Sequence, residues 1–139
     1  MSTLNRSINE KSYNIPGIVV WLGILLIIAT GLIHFVEAPD NFSEAIYKGI
    51  LFALNGVGAL IAAVGIYRGS RTWGWGLGVI IAAGAVIGYV VSRTVGLPGL
   101  EVDDEWFEPI GVLSIIVEVG FVGVWLWALT SAKQLTAAE

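Results

Sequence analysis

His34 and Glu37 stand in an HxxE spacing, and on a helix that interval turns both side chains to one face. An imidazole and a carboxylate so placed are two of the ligands that a zinc, copper or iron site would use. Two ligands do not complete a site, so the same pair also reads as an interfacial histidine hydrogen-bonded to a loop. Glu118 is more informative, because it alone breaks an uncharged run from Pro109 to Ala132. A carboxylate inside hydrocarbon is costly unless it is paired or protonated. It therefore reads as a proton-carrying group or cation ligand, or as a protonated structural residue hydrogen-bonded to Asn55. With His34 and Glu37 it completes a candidate metal set of three. Arg93 has reach enough to snorkel or to pair with Glu108, which would make it an anchor for a loop.

Other chemistries are excluded. There is no cysteine, so disulfides, thiolate metal sites and thiol redox chemistry are absent. The single histidine cannot supply bis-histidine haem ligation within one chain, although a symmetric dimer would. No GxSxG, HExxH, P-loop or Rossmann fingerprint occurs. A net charge of −4 argues against a nucleic-acid partner. The acidic run Glu101–Glu108 offers weak calcium ligation at best and reads more simply as solvated.

The elements that must position these residues are membrane helices. A hydrophobic fraction of 56% with only 13% charged residues does not suit a water-soluble domain. Four runs supply the roughly 20 apolar residues that cross a hydrocarbon core. They lie between Lys11 and Glu37, Lys48 and Arg68, Arg71 and Arg93, and from Pro109 to Ala132. The first is too long for a signal-peptide core, and Glu37-Ala38-Pro39 is a poor cleavage site, so it is expected to be retained. Pro39 is expected to stop span one, and Asn41-Phe42-Ser43-Glu44 has the spacing of a capping box that would start span two. Gly96-Leu97-Pro98-Gly99 reads as a turn with Pro and Gly where a type II turn wants them. Asp103 or Asp104 is placed to cap a short helical turn carrying Trp106 and Phe107.

Arg6, Lys11, Arg68, Arg71 and Lys133 fall on one side of such a bundle, and eight acids with Lys48 and Arg93 fall on the other. The positive-inside rule makes the first side cytoplasmic. Tryptophans 21, 73, 75, 125 and 127 sit at the same ends. The expected fold is all-α: an integral membrane four-helix bundle with antiparallel neighbours and both termini in the cytoplasm. Residues 1–14 form a cytoplasmic polar tail, 15–132 the transmembrane domain and 133–139 a second tail. The expected location is the plasma membrane, with the bilayer as a partner and a homo-oligomer or larger membrane complex as the protein partner.

Helical-wheel positions place Gly23, Thr30, His34 and Glu37 on one stripe of span one. Asn55 shares a face with Lys48 on span two, and Ser114 shares one with Gly111 and Glu118 on span four. Tyr89 and Arg93 lie one turn apart on span three, away from a Gly84-Gly88-Ser92 stripe. That stripe, like Gly58 with Ala62, reads as helix packing within a bundle or as a homodimer seam. Depth puts Glu118 and Asn55 near mid-membrane and His34 shallower, so contact between His34 and Glu118 would need tilt, water or a ligand. His34, Glu37, Asn55, Tyr89, Arg93, Ser114 and Glu118 are thus expected to line one polar pocket open to the outer side.

The segments Gly31-Leu32-Ile33-His34, Tyr89 to Gly99 (YVVSRTVGLPG) and Trp106-Phe107-Glu108-Pro109-Ile110-Gly111, with Ser114 and Glu118, resemble a family of small four-pass prokaryotic membrane proteins. The likeness runs from span one to span four. It implies the four-pass fold and directs attention to the same residues, and it brings no reaction with it.

The leading reading is a non-catalytic membrane protein, an accessory subunit with an inward polar site. A second is a redox component with a metal ion or other cofactor on His34 and Glu37 or Glu118. A third is a proton or ion pathway through Glu118 and Asn55.

Overall fold

The computed structural model describes residues 15–137, with side chains described through Ser131. The tail 1–14, with Arg6 and Lys11, and the side chain of Lys133 lie outside the described residues. Four α-helices account for most of the described residues, among which no strand occurs. Helix α1 spans Gly17–Glu44, α2 Ile46–Tyr67, α3 Trp73–Thr94 and α4 Pro109–Ala137. Each contains a segment long and apolar enough to cross a membrane, that of α4 being Pro109–Ser131.

Short connections force the helices to run up and down in sequence order. Arg68 to Thr72 join α2 to α3, and Gly69 takes the left-handed backbone (φ 79°) that this tight turn needs. Each helix packs on its two chain neighbours, and α4 closes the ring against α1. Across the diagonals, α1 and α3 touch only briefly, and α2 and α4 do not touch.

Large apolar side chains face outward on every helix, among them Leu25, Leu54, Ile80, Ile87 and Ile116. The interior carries small residues where backbones approach. A Cβ on Gly31 of α1 would lie 3.2 Å from the Gly56 carbonyl of α2, which explains why that pair packs most closely.

The half of the bundle nearest the termini is a dry plug. Val19, Ile27, Ile66, Trp75 and Phe121 are almost completely buried there. The rings of Trp75 and Phe121 stack with centroids 5.6 Å apart, and the indole fits over Gly23 of α1, where a Cβ would lie 2.4 Å from it. The buried polar residues Thr30, His34, Asn41, Arg93, Ser114 and Glu118 lie from mid-helix to the opposite end.

Two expectations about α1 need correction. Pro39 does not stop the helix, which continues through it to Glu44. Near its end the Asn41 side chain donates to the Glu37 carbonyl (2.7 Å), and the Ala45 amide closes the last turn on the Asn41 carbonyl. Asn41 is therefore buried in the end of α1 and does not cap α2. The connection to α2 is Ala45 alone, in an extended conformation.

Candidate functional site

Extension of α1 resets the depth of its polar residues. His34 lies ten residues from the end at Glu44, about 15 Å along the axis, and Glu118 lies nine residues from Pro109, about 13 Å. Asn55, nine residues into α2, is level with both. The two rings of side chains therefore meet directly: His34 Nε2 is 3.8 Å from Glu118 Oε1. The expectation that this contact needs tilt, water or a ligand is corrected, because it placed the end of the helix at Glu37.

Each member of this floor is held. His34 Nδ1 donates to the Thr30 carbonyl (2.9 Å), and the ring packs at a tilt of 37° against Phe52 with centroids 5.0 Å apart. Ser114 Oγ, one turn before Glu118 on α4, donates to Glu118 Oε1 at 2.8 Å. Glu118 is 1% exposed and His34 6%. The bond expected between Glu118 and Asn55 is not formed. Their helices α2 and α4 stand on a diagonal, and Asn55 Nδ2 instead donates to the Ile81 carbonyl of α3 at 3.3 Å. Asn55 Oδ1 is buried and accepts no hydrogen bond, the one such side-chain atom among the described residues.

Above the floor a cavity of about 560 Å³ runs between the helices toward the end opposite the termini. His34, Glu37, Asn55, Tyr89, Arg93, Ser114 and Glu118 all line it. So do Asn41, Lys48 and Phe52, which were not among the expected site residues. The stripe on α3 does not pack against another helix of this bundle. A Cβ on Gly84 or Gly88 would meet nothing within 4 Å, because these glycines face the open cavity and no helix packs on them. Tyr89 and Arg93 share this wall with them. Gly58, by contrast, does pack: its Cβ would lie 2.6 Å from Ile81.

Arg93 ties the long connection to the mouth. It is 8% exposed, with Nη2 3.3 Å from Asp103 Oδ2 and 3.6 Å from Glu108 Oε2, and Nε donates to the Glu105 carbonyl at 3.1 Å. Its guanidinium carbon lies 3.6 Å above the Tyr89 ring, a cation–π placement, and the Tyr89 hydroxyl donates to the Trp106 carbonyl. Gly111 makes room for this, since a Cβ there would lie 2.8 Å from the tyrosine ring. Leu97 to Leu100 form the type II turn, with Gly99 at φ 77° and the Leu100 amide donating to the Leu97 carbonyl. Tyr47 of α2 donates to the Pro98 carbonyl at 2.7 Å. Asp103 to Glu105 form an Asx turn, in which the Glu105 amide donates to Asp103 Oδ1, and Trp106 and Phe107 follow in a non-helical turn in place of the expected helical one.

The metal set expected from His34, Glu37 and Glu118 is not assembled. Among the described residues no three His, Asp or Glu side chains are grouped to hold an ion. Glu37 is displaced from His34 toward the mouth by about 4.5 Å of helix rise, while Glu118 approaches the imidazole from across the floor. The polar lining likewise stops at Glu118, and the Trp75–Phe121 plug fills the axis beyond it. An ion pathway would have to cross that plug.

No protein-family model, curated protein or solved structure matches this chain. Its four helices, each long and apolar enough to span a bilayer, are those of a multi-pass integral membrane protein.

Proposed function

We propose that this chain is a non-catalytic protein of the plasma membrane that holds a small ligand in its axial cavity, open to the extracytoplasmic side. The observation that carries the reading is the enclosure. About 560 Å³ is bounded by all four helices, with polar groups at the floor and mouth and apolar walls between them. That volume falls in the range of small-molecule sites and is many times the space of one water. The side facing outward follows from Arg68 and Arg71, which lie at the opposite end from the acidic mouth. The residues behind the resemblance to small four-pass prokaryotic proteins support the same location: His34, Tyr89, Arg93, Glu108, Ser114 and Glu118 all line this cavity.

The test is native mass spectrometry of the protein transferred from its own membrane into lipid nanodiscs. The protein is expected to carry a discrete small-molecule adduct. Gly88 lines the cavity and a Cβ there would meet nothing within 4 Å, so Gly88→Phe should fold and lose the adduct. An adduct retained equally by the folded Gly88→Phe protein, or no adduct in either, counts against the reading.

A further inference from the structure

The cavity's charge and hydrogen-bonding balance define a ligand class, and this step rests on the ligand-site reading above. Six carboxyl side chains line the space against two cationic ones. Both cations are already engaged: Lys48 with Glu44, and Arg93 with Asp103 and Glu108. Glu37, Asp40 and Glu118 are left, and among the described residues none of the three pairs with a lysine or arginine.

The floor has the same bias. Asn55 Oδ1 is a buried acceptor with no donor. Glu118 receives one hydrogen bond, from Ser114 to Oε1, and Oε2 has no donor among the described residues. His34 commits Nδ1–H to the Thr30 carbonyl, so its Nε2 offers a lone pair when the ring is neutral. Acceptors on neighbouring helices, His34 Nε2 and Glu118, therefore meet at the floor with too few donors, and a buried acceptor without a donor is costly. A bare metal ion does not fit, since no three ligands are grouped and the space is far larger than an ion. Phe52, Leu51 and Ile110 add apolar wall, and Gly84 and Gly88 leave it flat.

We propose that the cavity binds a protonated amine with an apolar body, its N–H groups donating to Glu118 and its body lying against Phe52 and the glycine wall. The chemistry is that of an ammonium with hydrogens, which both a free amine and a phosphatidylethanolamine headgroup carry.

Isothermal titration calorimetry on the full chain in phosphatidylcholine nanodiscs tests this with three probes. These are 2-phenylethylamine, its N,N,N-trimethyl analogue and 3-phenylpropanoate. The amine is expected to bind saturably at one site, the trimethyl analogue roughly tenfold more weakly for want of charge-assisted N–H donation, and the carboxylate not at all. Glu118→Gln should weaken the amine by roughly tenfold or more. Because Glu118→Gln alters a buried carboxyl, Gly88→Phe serves as an independent variant, and it should abolish amine binding in a protein of unchanged helicity. Phosphatidylethanolamine added to the nanodiscs that competes with the amine assigns the site to the headgroup. Undiminished binding assigns it to a free amine. Equal or tighter binding of 3-phenylpropanoate, or amine binding unaffected by Gly88→Phe, overturns the proposal. If the amine fails while a native adduct is still lost in Gly88→Phe, the ligand class is wrong and the ligand site stands.

Discussion

His34 Nε2 faces Glu118 Oε1 across 3.8 Å, from the helix beside the one that carries the carboxyl. The Thr30 carbonyl only accepts, so the imidazole proton it receives sits on Nδ1, and Nε2 presents a lone pair or a second proton to Glu118. The separation is beyond a direct hydrogen bond, and the pair meets by electrostatics in a region shielded from water. Ser114 fixes the carboxyl from the other side. His34 and Glu118 are thus each oriented by a residue of their own helix, one turn away.

That arrangement separates two substitutions at one position. Glu118→Gln keeps an oxygen for Ser114 and offers an N–H toward the His34 lone pair, so the bundle should assemble and lose no more than about 1–3 kcal/mol. Glu118→Lys puts a cation beside His34 with no acid at that depth, and it should not yield a monodisperse protein. Thermal unfolding and size-exclusion profiles in detergent are the measurements. A Lys variant with wild-type elution and melting temperature would show that the floor is not enclosed as described.

Glycines of identical type should respond in opposite ways according to what faces them. Gly23→Leu drives its side chain into the Trp75 ring, which is 4% exposed and stacked on Phe121, and should cost about 1–3 kcal/mol or more. Gly84→Leu enters open space and should leave the melting temperature within a few degrees of wild type. Melting curves of the two variants side by side decide the matter. Equal destabilisation would place Gly84 in a packed seam.

Arg93 is expected to control the order of the long connection. Its planar fork serves Asp103, Glu108 and the Glu105 carbonyl together, and lysine cannot reproduce that geometry. Arg93→Lys should accelerate hydrogen–deuterium exchange across residues 95–108 while leaving the cores of α1 and α2 protected. Unchanged exchange in that segment would mean that the type II turn and the Tyr47 and Tyr89 hydrogen bonds hold the connection alone.

The four helices were legible because lipid imposes a long apolar run on each, and charges mark where each run ends. The inward position of His34, Asn55 and Glu118 was legible for a related reason, since few polar residues interrupt those runs and helical periodicity assigns each a face. Two things were not. Pro39 looked like a stop, yet neighbouring helices and local hydrogen bonds tolerate proline in a membrane helix, and the two extra turns to Glu44 changed every depth on α1. The role of Gly84 and Gly88 was also hidden. A small side chain that permits close packing and one that leaves a cavity open have the same sequence signature, and only the position of α4 distinguishes them.

Orientation in the membrane can be read from single cysteines, because the native chain has none. Thr72 and Glu101 are the suitable positions: both are exposed, and the one hydrogen bond at Thr72, from the Gly76 amide to its carbonyl, does not involve the side chain. Ser70 is less suitable because its hydroxyl accepts from the Trp73 and Gly74 amides at the start of α3, and Gly99 because its φ of 77° disfavours a side chain. Arg68 and Arg71 flank Thr72, whereas Glu101 lies in a segment with Asp103, Asp104, Glu105 and Glu108. Basic loops are retained in the cytoplasm, so Glu101→Cys should react with a membrane-impermeant maleimide on intact cells, and Thr72→Cys only after the membrane is opened. The same orientation turns the acidic mouth, and with it the cavity floor at His34 and Glu118, toward solutes outside the cell. Labelling of Thr72→Cys on intact cells with Glu101→Cys protected would invert the protein and place that mouth in the cytoplasm.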